Sequence, residues 1–258
     1  MTPPNTVNRR EADLLQARYK GLPDDAFVAY VDESYRLPSQ CRGTSDQPFY
    51  VMTAVLLRTS DHAGIRRDLE QMAGAGPWHT VDRQQTQTGR HDVVNMIDYL
   101  ADYRDACILA VSFLPTPTDT GITMRHACLQ ALLIELGKTE PAPDVTGPIP
   151  LIVFEKQREN ADTDRDRYTI SQARKAGHIA RGVAAHWVSP TVENLLWLPD
   201  LVSNAYNRYA TRGDELVTRL DTQTSTIKVP LNASDPLAAV AHVQGVSLLF
   251  PEEEQVSA

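Results

Sequence analysis

A chain of 258 residues, 42 % hydrophobic and 22 % charged, has ordinary globular composition and is long enough for one large domain or two small ones. Its formal charge of −8 argues against a protein that coats nucleic acid by net charge alone. It does not argue against a nuclease, because clustered carboxylates lower the net charge while the metal they hold supplies local positive potential. No run approaches the roughly 18 apolar residues needed to cross a bilayer. Met1 to Arg10 lacks the apolar core of a signal peptide, so the expectation is a cytoplasmic protein with no membrane partner.

Cys41, Cys107 and Cys128 form an odd set without CxxC spacing, which argues against a disulfide framework and a structural zinc site. They read as reduced thiols, with Cys107 and Cys128 in apolar stretches suited to core packing.

Residues 7–20 read as a partly amphipathic lead-in helix ended by Gly21, Leu22 and Pro23. Ala26 to Val31 is a short strand closing on Asp32-Glu33-Ser34, and Phe49 to Leu57 is a second strand. Ser60 and Asp61 suit the cap of a helix through Met72, with Gly74 and Gly76 as its stop. Trp78 to Asp82 reads as loop, and Arg90 to Tyr103 as a helix with Val93, Val94, Ile97 and Leu100 on one face.

Cys107 to Phe113 is a third strand, Thr123 to Leu136 an apolar helix, and Pro150 to Glu155 an apolar strand with a carboxylate at its end. Asn160 to Lys175 reads as a polar helix, Val183 to Val188 as a strand, and Glu193 to Tyr209 as the last strong helix. Beyond Gly213 a small strand near Ile227–Val229 is expected, then a helix or packed extension over Leu237 to Leu249. Strands alternating with helices indicate an α/β fold. One domain is expected, with its core over residues 24–212, a helical extension at 1–23 and another extension at 213–258.

Asp32 and Glu33 close the first strand, Glu155 closes Leu151–Phe154, and Asp200 interrupts the apolar turn Leu196 to Val202. A lone carboxylate buried in such surroundings costs several kcal/mol unless a cation compensates. Hard oxygen ligands from separate segments are how magnesium and manganese are held. Two such ions about 3.5–4 Å apart activate a water and stabilise the leaving oxygen in phosphodiester cleavage. Each carboxylate taken singly reads as structural, a strand-end turn cap or, for the helical Asp200, an ion-pair partner of a base such as Arg208; only the set taken together suggests a site.

Tyr30-Val31-Asp32-Glu33-Ser34 resembles the opening "(Y/F)xDES(G)" of the domain-of-unknown-function family 3800, and Phe49 to Val55 is similar to that family's second strand. Leu151 to Glu155 followed by Asp162 to Arg167 resembles a branch carrying "(V/I)-E" and then "D-x-x-D-R-R". Glu193 to Val202 resembles that branch's "E-P-L-L-W-(I/L)-P-D-x-(V/I)". These matches keep their order across residues 26–206; Tyr35 stands where glycine is usual and Asn194 where proline is frequent.

The resemblance implies a ribonuclease-H-like fold, a mixed sheet flanked by helices with helical extensions at both ends. It implies that Asp32, Glu155 and Asp200 are Mg2+ or Mn2+ ligands, with Glu33 an additional ligand or a supporting group. Pro77-Trp78-His79 resembles a short "(E/F)-(H/K)" box, in which His79 orients a phosphate, protonates a leaving oxygen or assists a water. A loop histidine with ordinary hydrogen bonds explains His79 as well.

Lys156 to Arg181 holds seven basic and four acidic residues, a basic strip where a nucleic-acid backbone could run. Arg158 and Lys175 are the substrate-contact candidates, while Asp162 with Arg165 and Arg167 equally reads as a solvated, ion-paired helix. His178, His186, Trp197, Tyr206 and Tyr209 read as packing residues. The expected function is a metal-dependent nuclease acting on DNA or RNA, with defence against mobile elements as a role by family analogy only. The alternatives are a non-catalytic binding module on the same scaffold and a structural component, and oligomeric state stays open, a homo-oligomer included. The nuclease reading requires the carboxyl groups of Asp32, Glu155 and Asp200 to converge within metal-bridging range, and scattered carboxylates would defeat it.

Overall fold

The computed structural model describes residues 6–43, 46–74, 78–156 and 160–246. Its centre is one mixed sheet of seven strands. In chain order these are β1 (Phe27–Arg36), β2 (Phe49–Arg58), β3 (Ala106–Phe113), β4 (Leu151–Glu155), β5 (Ala184–Val188), β6 (Thr224–Pro230) and β7 (Ala241–Gln244). They lie in the order β5-β4-β1-β2-β3-β6-β7. β1, β2 and β3 form an antiparallel meander; β4 and β5 run parallel to β1, β6 runs parallel to β3, and β7 returns antiparallel to β6.

Strand β2 sits at the middle of the sheet, and every residue from Phe49 to Leu57 is buried. Its run, apolar except for Thr53, is what a strand covered on both faces demands. Side chains alternate across the sheet, so residues of even and odd number on β1 enter different cores. Val28 and Tyr30 belong to one core, together with α1 (Thr6–Tyr19), α2 (His62–Ala73), α4 (Gln87–Tyr103) and α7 (Trp197–Arg212). Ala29 and Val31 belong to the other, under α5 (Ile122–Leu136) and α6 (Asn160–Lys175). A one-turn helix, α3 (Thr80–Arg83), fills the segment the sequence suggests is loop; four residues carry no readable periodicity.

Cys107 and Cys128 are buried with free thiols, as their apolar surroundings imply. Three sequence expectations change. β1 continues through Tyr35 to Arg36 because β2 pairs with it along its whole length. The C-terminal residues extend the sheet rather than leave it: the expected helix or packed extension becomes turns followed by β7, paired against β6, while residues 247–249 lie outside the described residues. His178 is exposed, although His186 is half-buried between strands and the N-terminal helix. Among the described residues no helix is long and apolar enough to cross a membrane.

Candidate functional site

Three elements carry the three carboxylates to one place. β1 and β4 are parallel, and Val31 pairs with Phe154 at the end of their ladder. Asp32 and Glu155 are the next residues on the two strands. Both have the parity of Tyr30 and Val153, whose side chains enter the core beneath α7. Register alone therefore sends both carboxylates to the α7 side.

Asp200 comes from the first turn of α7. Pro199 is tolerated just before it because first-turn N–H groups have no partner within the helix. The positive end of the helix dipole also favours an acid there.

α7 is fixed to β2 and β1 by hydrogen bonds along its length. Ser203 Oγ donates to Thr53 Oγ1 at 2.8 Å, and Thr53 is the cross-strand partner of Asp32. One turn on, Asn207 Nδ2 donates to Ser34 Oγ at 2.9 Å. The helix approach is set by Glu193, which caps the short 3-10 turn before α7 through Leu195 N–H. Glu193 accepts from Arg66 at 2.9 and 2.7 Å and from the Tyr19 hydroxyl at 2.8 Å. Asn194, where the resembling motif carries proline, donates to the Arg66 carbonyl at 3.1 Å.

The result is a cavity of about 480 Å³ lined by Asp32, Glu33, Glu155, Asp162 and Asp200, with Lys156 and His79 as its basic groups. Asp32 is 8 % exposed, and burial followed by the charges of Glu155, Glu33 and Asp200 pushes its carboxyl well above the usual carboxylate range. Among the described residues no cation pairs with it. Burial also raises Asp200, against the hydrogen bonds from Thr80 and the charge of His79. The Thr80 N–H donates to Asp200 Oδ2 at 2.9 Å, and Trp78 Nε1 donates to Thr80 Oγ1 at 2.9 Å. Trp78 stacks on Trp197 at 6.1 Å between centroids, so the segment before α3 is pinned against the start of α7. His79, exposed at the N-cap of α3, stands at the cavity rim; Pro77 lies outside the described residues.

Glu33 has the opposite parity from Asp32 and is engaged on the α5 side. Arg125 Nη1 donates to Glu33 Oε1 at 2.5 Å and to the Tyr50 hydroxyl at 2.8 Å. Its Nε and Nη2 donate to Asp166 at 3.0 and 2.7 Å. Burial holds the Glu33 carboxyl above its ordinary value although Arg125 opposes the shift. Glu33 thus reaches the cavity wall with its charge already answered, unlike Asp32.

The basic strip does not form one surface. Arg165 and Arg167 pair with Asp162 and Asp164 one turn back on α6, at 2.6 and 3.0 Å, which is the solvated-helix arrangement. Lys175 is exposed at the far end of α6, about 20 Å from Asp162 at the helical rise of 1.5 Å per residue, and away from the cavity. Arg158 lies outside the described residues. Lys156 alone of the described strip lines the cavity, its Nζ 2.6 Å from Glu11 of α1.

Sequence reading misses Arg125, Asp166, Thr80 and Asn204. Arg125 was open to discovery, since a charged residue inside the apolar run of α5 requires a buried partner. Asn204 follows Asp200 by one helical turn and lines the same cavity, and its buried Oδ1 has no hydrogen-bond partner among the described residues. Thr80 carries no local signal, and Asp166 stands in the acidic and basic run Asp162 to Arg167 with nothing to set it apart from its neighbours. Trp197 and Tyr206 are buried as expected, although Trp197 also contributes to the cavity wall.

The donors suit a hard divalent cation, being carboxylate oxygens, and Asp32 has no cationic partner among the described residues. Among the described residues, however, no three His, Cys, Asp or Glu side chains are arranged as a ready ligand set for a metal ion. The carboxylates share a cavity and one another's field without closing on a point. Comparison with protein-family models, with curated proteins and with solved structures finds no match to this chain.

Proposed function

We propose that this protein is a divalent-metal-dependent nuclease of ribonuclease-H-like fold, related to the family its motifs resemble. One observation carries the reading: Asp32, Glu155 and Asp200, from β1, β4 and α7, line one cavity in which Asp32 has no cationic partner among the described residues. The field of Asp32, Glu155 and Asp200 in one wall disfavours an anionic phosphodiester unless positive charge enters with it, since Glu33 and Asp162 are already ion-paired. The order β3-β2-β1-β4-β5, with an antiparallel meander followed by two strands parallel to β1, supports the fold assignment.

Asp32, Glu155 and Asp200 would hold Mg2+ or Mn2+. When bound, such an ion neutralises the phosphate and lowers the pKa of its water, the chemistry of phosphodiester hydrolysis. The chain's own groups do the rest. Thr80 fixes the Asp200 carboxylate by its N–H, Ser203 and Asn207 hold α7 over β1, and Arg125 restrains Glu33. His79 at the rim is placed to orient a phosphate or pass a proton to the leaving oxygen.

A second reading, a non-catalytic module binding nucleic acid or protein on this scaffold, is favoured by the lack of a ready ligand set among the described residues. The deciding experiment incubates the protein with labelled DNA and RNA, with manganese or EDTA, beside Asp32→Asn and Asp200→Asn. The nuclease reading expects manganese-dependent cleavage abolished by both substitutions in folded protein. Binding that survives both without any cleavage establishes the second reading instead.

A further inference from the structure

The carboxylate cavity adjoins a second recess of about 120 Å³, and the two share Glu33, Tyr35 and Asp162 in their walls. Tyr35 is the residue that stands where the resembling motif has glycine. It occupies no turn: it lies in β1, paired across the strands with Tyr50. The two rings stack with centroids 5.3 Å apart and planes 14° from parallel.

Tyr50 is 4 % exposed and its hydroxyl accepts from Arg125, so the lower ring is immobilised by the same guanidinium that holds Glu33 and Asp166. Tyr35, 44 % exposed, rests on that fixed ring with one face covered. It is held in a set orientation with the parity of Glu33, on the face opposite to that of Asp32, and it reaches the carboxylate cavity as part of the shared wall.

We infer that Tyr35 is a stacking platform for the nucleobase flanking the scissile phosphate, and that the substrate is therefore a single strand or an unpaired end. This rests on the phosphodiester-cleaving reading above. A base within a duplex has both faces covered by its neighbours, whereas an unpaired base presents one to an aromatic ring. The contact is tolerant of base identity because every base has a π face, so it selects strandedness rather than sequence. Tyr35 is a positioning and specificity residue, holding the sugar-phosphate backbone beside the carboxylates through the base it carries.

The test uses the full chain with manganese and a fluorescein-labelled oligonucleotide in three forms: single-stranded, annealed to its complement, and single-stranded with one abasic residue beside the mapped cleavage position. Binding is read by anisotropy and cleavage by gel, for the wild type, Tyr35→Phe, Tyr35→Leu and Tyr35→Ala. The wild type should prefer the intact single strand. Tyr35→Ala should raise KM by roughly 5- to 150-fold, the span that base stacking contributes per nucleotide, with kcat changed far less. Tyr35→Phe should keep wild-type behaviour, and the Tyr35→Ala penalty should vanish on the abasic strand.

An equal penalty on intact and abasic strands, a wild type that prefers duplex, or a folded Tyr35→Leu indistinguishable from wild type on all three would each overturn the inference while leaving the nuclease reading standing. A wild type that neither binds nor cuts any form overturns that reading and the inference with it.

Discussion

Replacing Asp32 by asparagine should stabilise the metal-free protein while abolishing metal response. The carboxyl lies 8 % exposed among Glu155, Glu33 and Asp200, and burial plus these charges raise its pKa well above the ordinary value. Burying an ionised carboxylate costs several kcal/mol, of which the hydrogen bond from the Glu33 N–H returns about 1.5–3 kcal/mol. A net penalty of about 2 kcal/mol remains, equivalent to roughly 4–8 °C in Tm for a chain of this size.

A group whose pKa is raised by folding contributes stability in acid that is lost as pH climbs through its folded value. The advantage of Asp32→Asn should therefore be small near pH 4 and grow toward pH 8. Differential scanning calorimetry in EDTA across that range measures it. With manganese at about a hundredfold over Kd, the wild type should gain about 2.7 kcal/mol and Asp32→Asn little, reversing their order. If the variant is less stable than wild type in EDTA at pH 8, or the gap does not shrink in acid, Asp32 is not the strained, cation-seeking group described here.

Asp105, before β3, is pushed up to about 7 by burial and then by the charge of Asp61, and its Oδ2 lacks a hydrogen-bond partner among the described residues. By the same sign, the gain from Asp105→Asn should grow as pH rises from the ordinary carboxylate range to about 7 and level off above it, and it should be unaffected by manganese in the same calorimetry. Arg125→Met strands Glu33 and Asp166 without their shared cation and should cost about 3–5 kcal/mol in urea denaturation, with Arg125→Met/Asp166→Leu recovering part of it. Thr80→Val removes a hydroxyl bond that holds the Asp200 pKa down and the acceptor of Trp78. It should move the acid limb of the pH–activity profile upward and cost about 1–3 kcal/mol of stability. Gly89→Ala would gain up to about 1 kcal/mol on helix propensity alone, yet its Cβ would lie 2.0 Å from the Arg83 carbonyl oxygen. The expected result is a loss of stability with displacement of α3, read as lower Tm and weaker activity, since α3 carries Thr80 to Asp200.

Local chemistry made most elements legible before any coordinates: apolar runs marked β1 to β5, and 3.6-residue periodicity marked α4 and α7. Asp32, Glu155 and Asp200 were legible as well, because a carboxylate closing or interrupting an apolar element is costly enough to ask for a reason. The length of β1 was not, since Tyr35 stays extended only because β2 lies alongside it. Nor was β7, which owes its existence to the edge that β6 offers.

The separation of Asp32 from Glu33, neighbours in sequence and assigned to one cluster, follows from strand alternation combined with knowledge of which helix covers which face. α7 receives the first and Arg125 of α5 the second. Arg125, Asp166 and Thr80 take their roles from partners 41 to 120 residues away, at distances of 2.5–3.0 Å. A sequence states which groups are costly to bury; only the packed chain decides which of them meet, because hydrogen bonds and fields act over a few ångströms of space and not along the backbone.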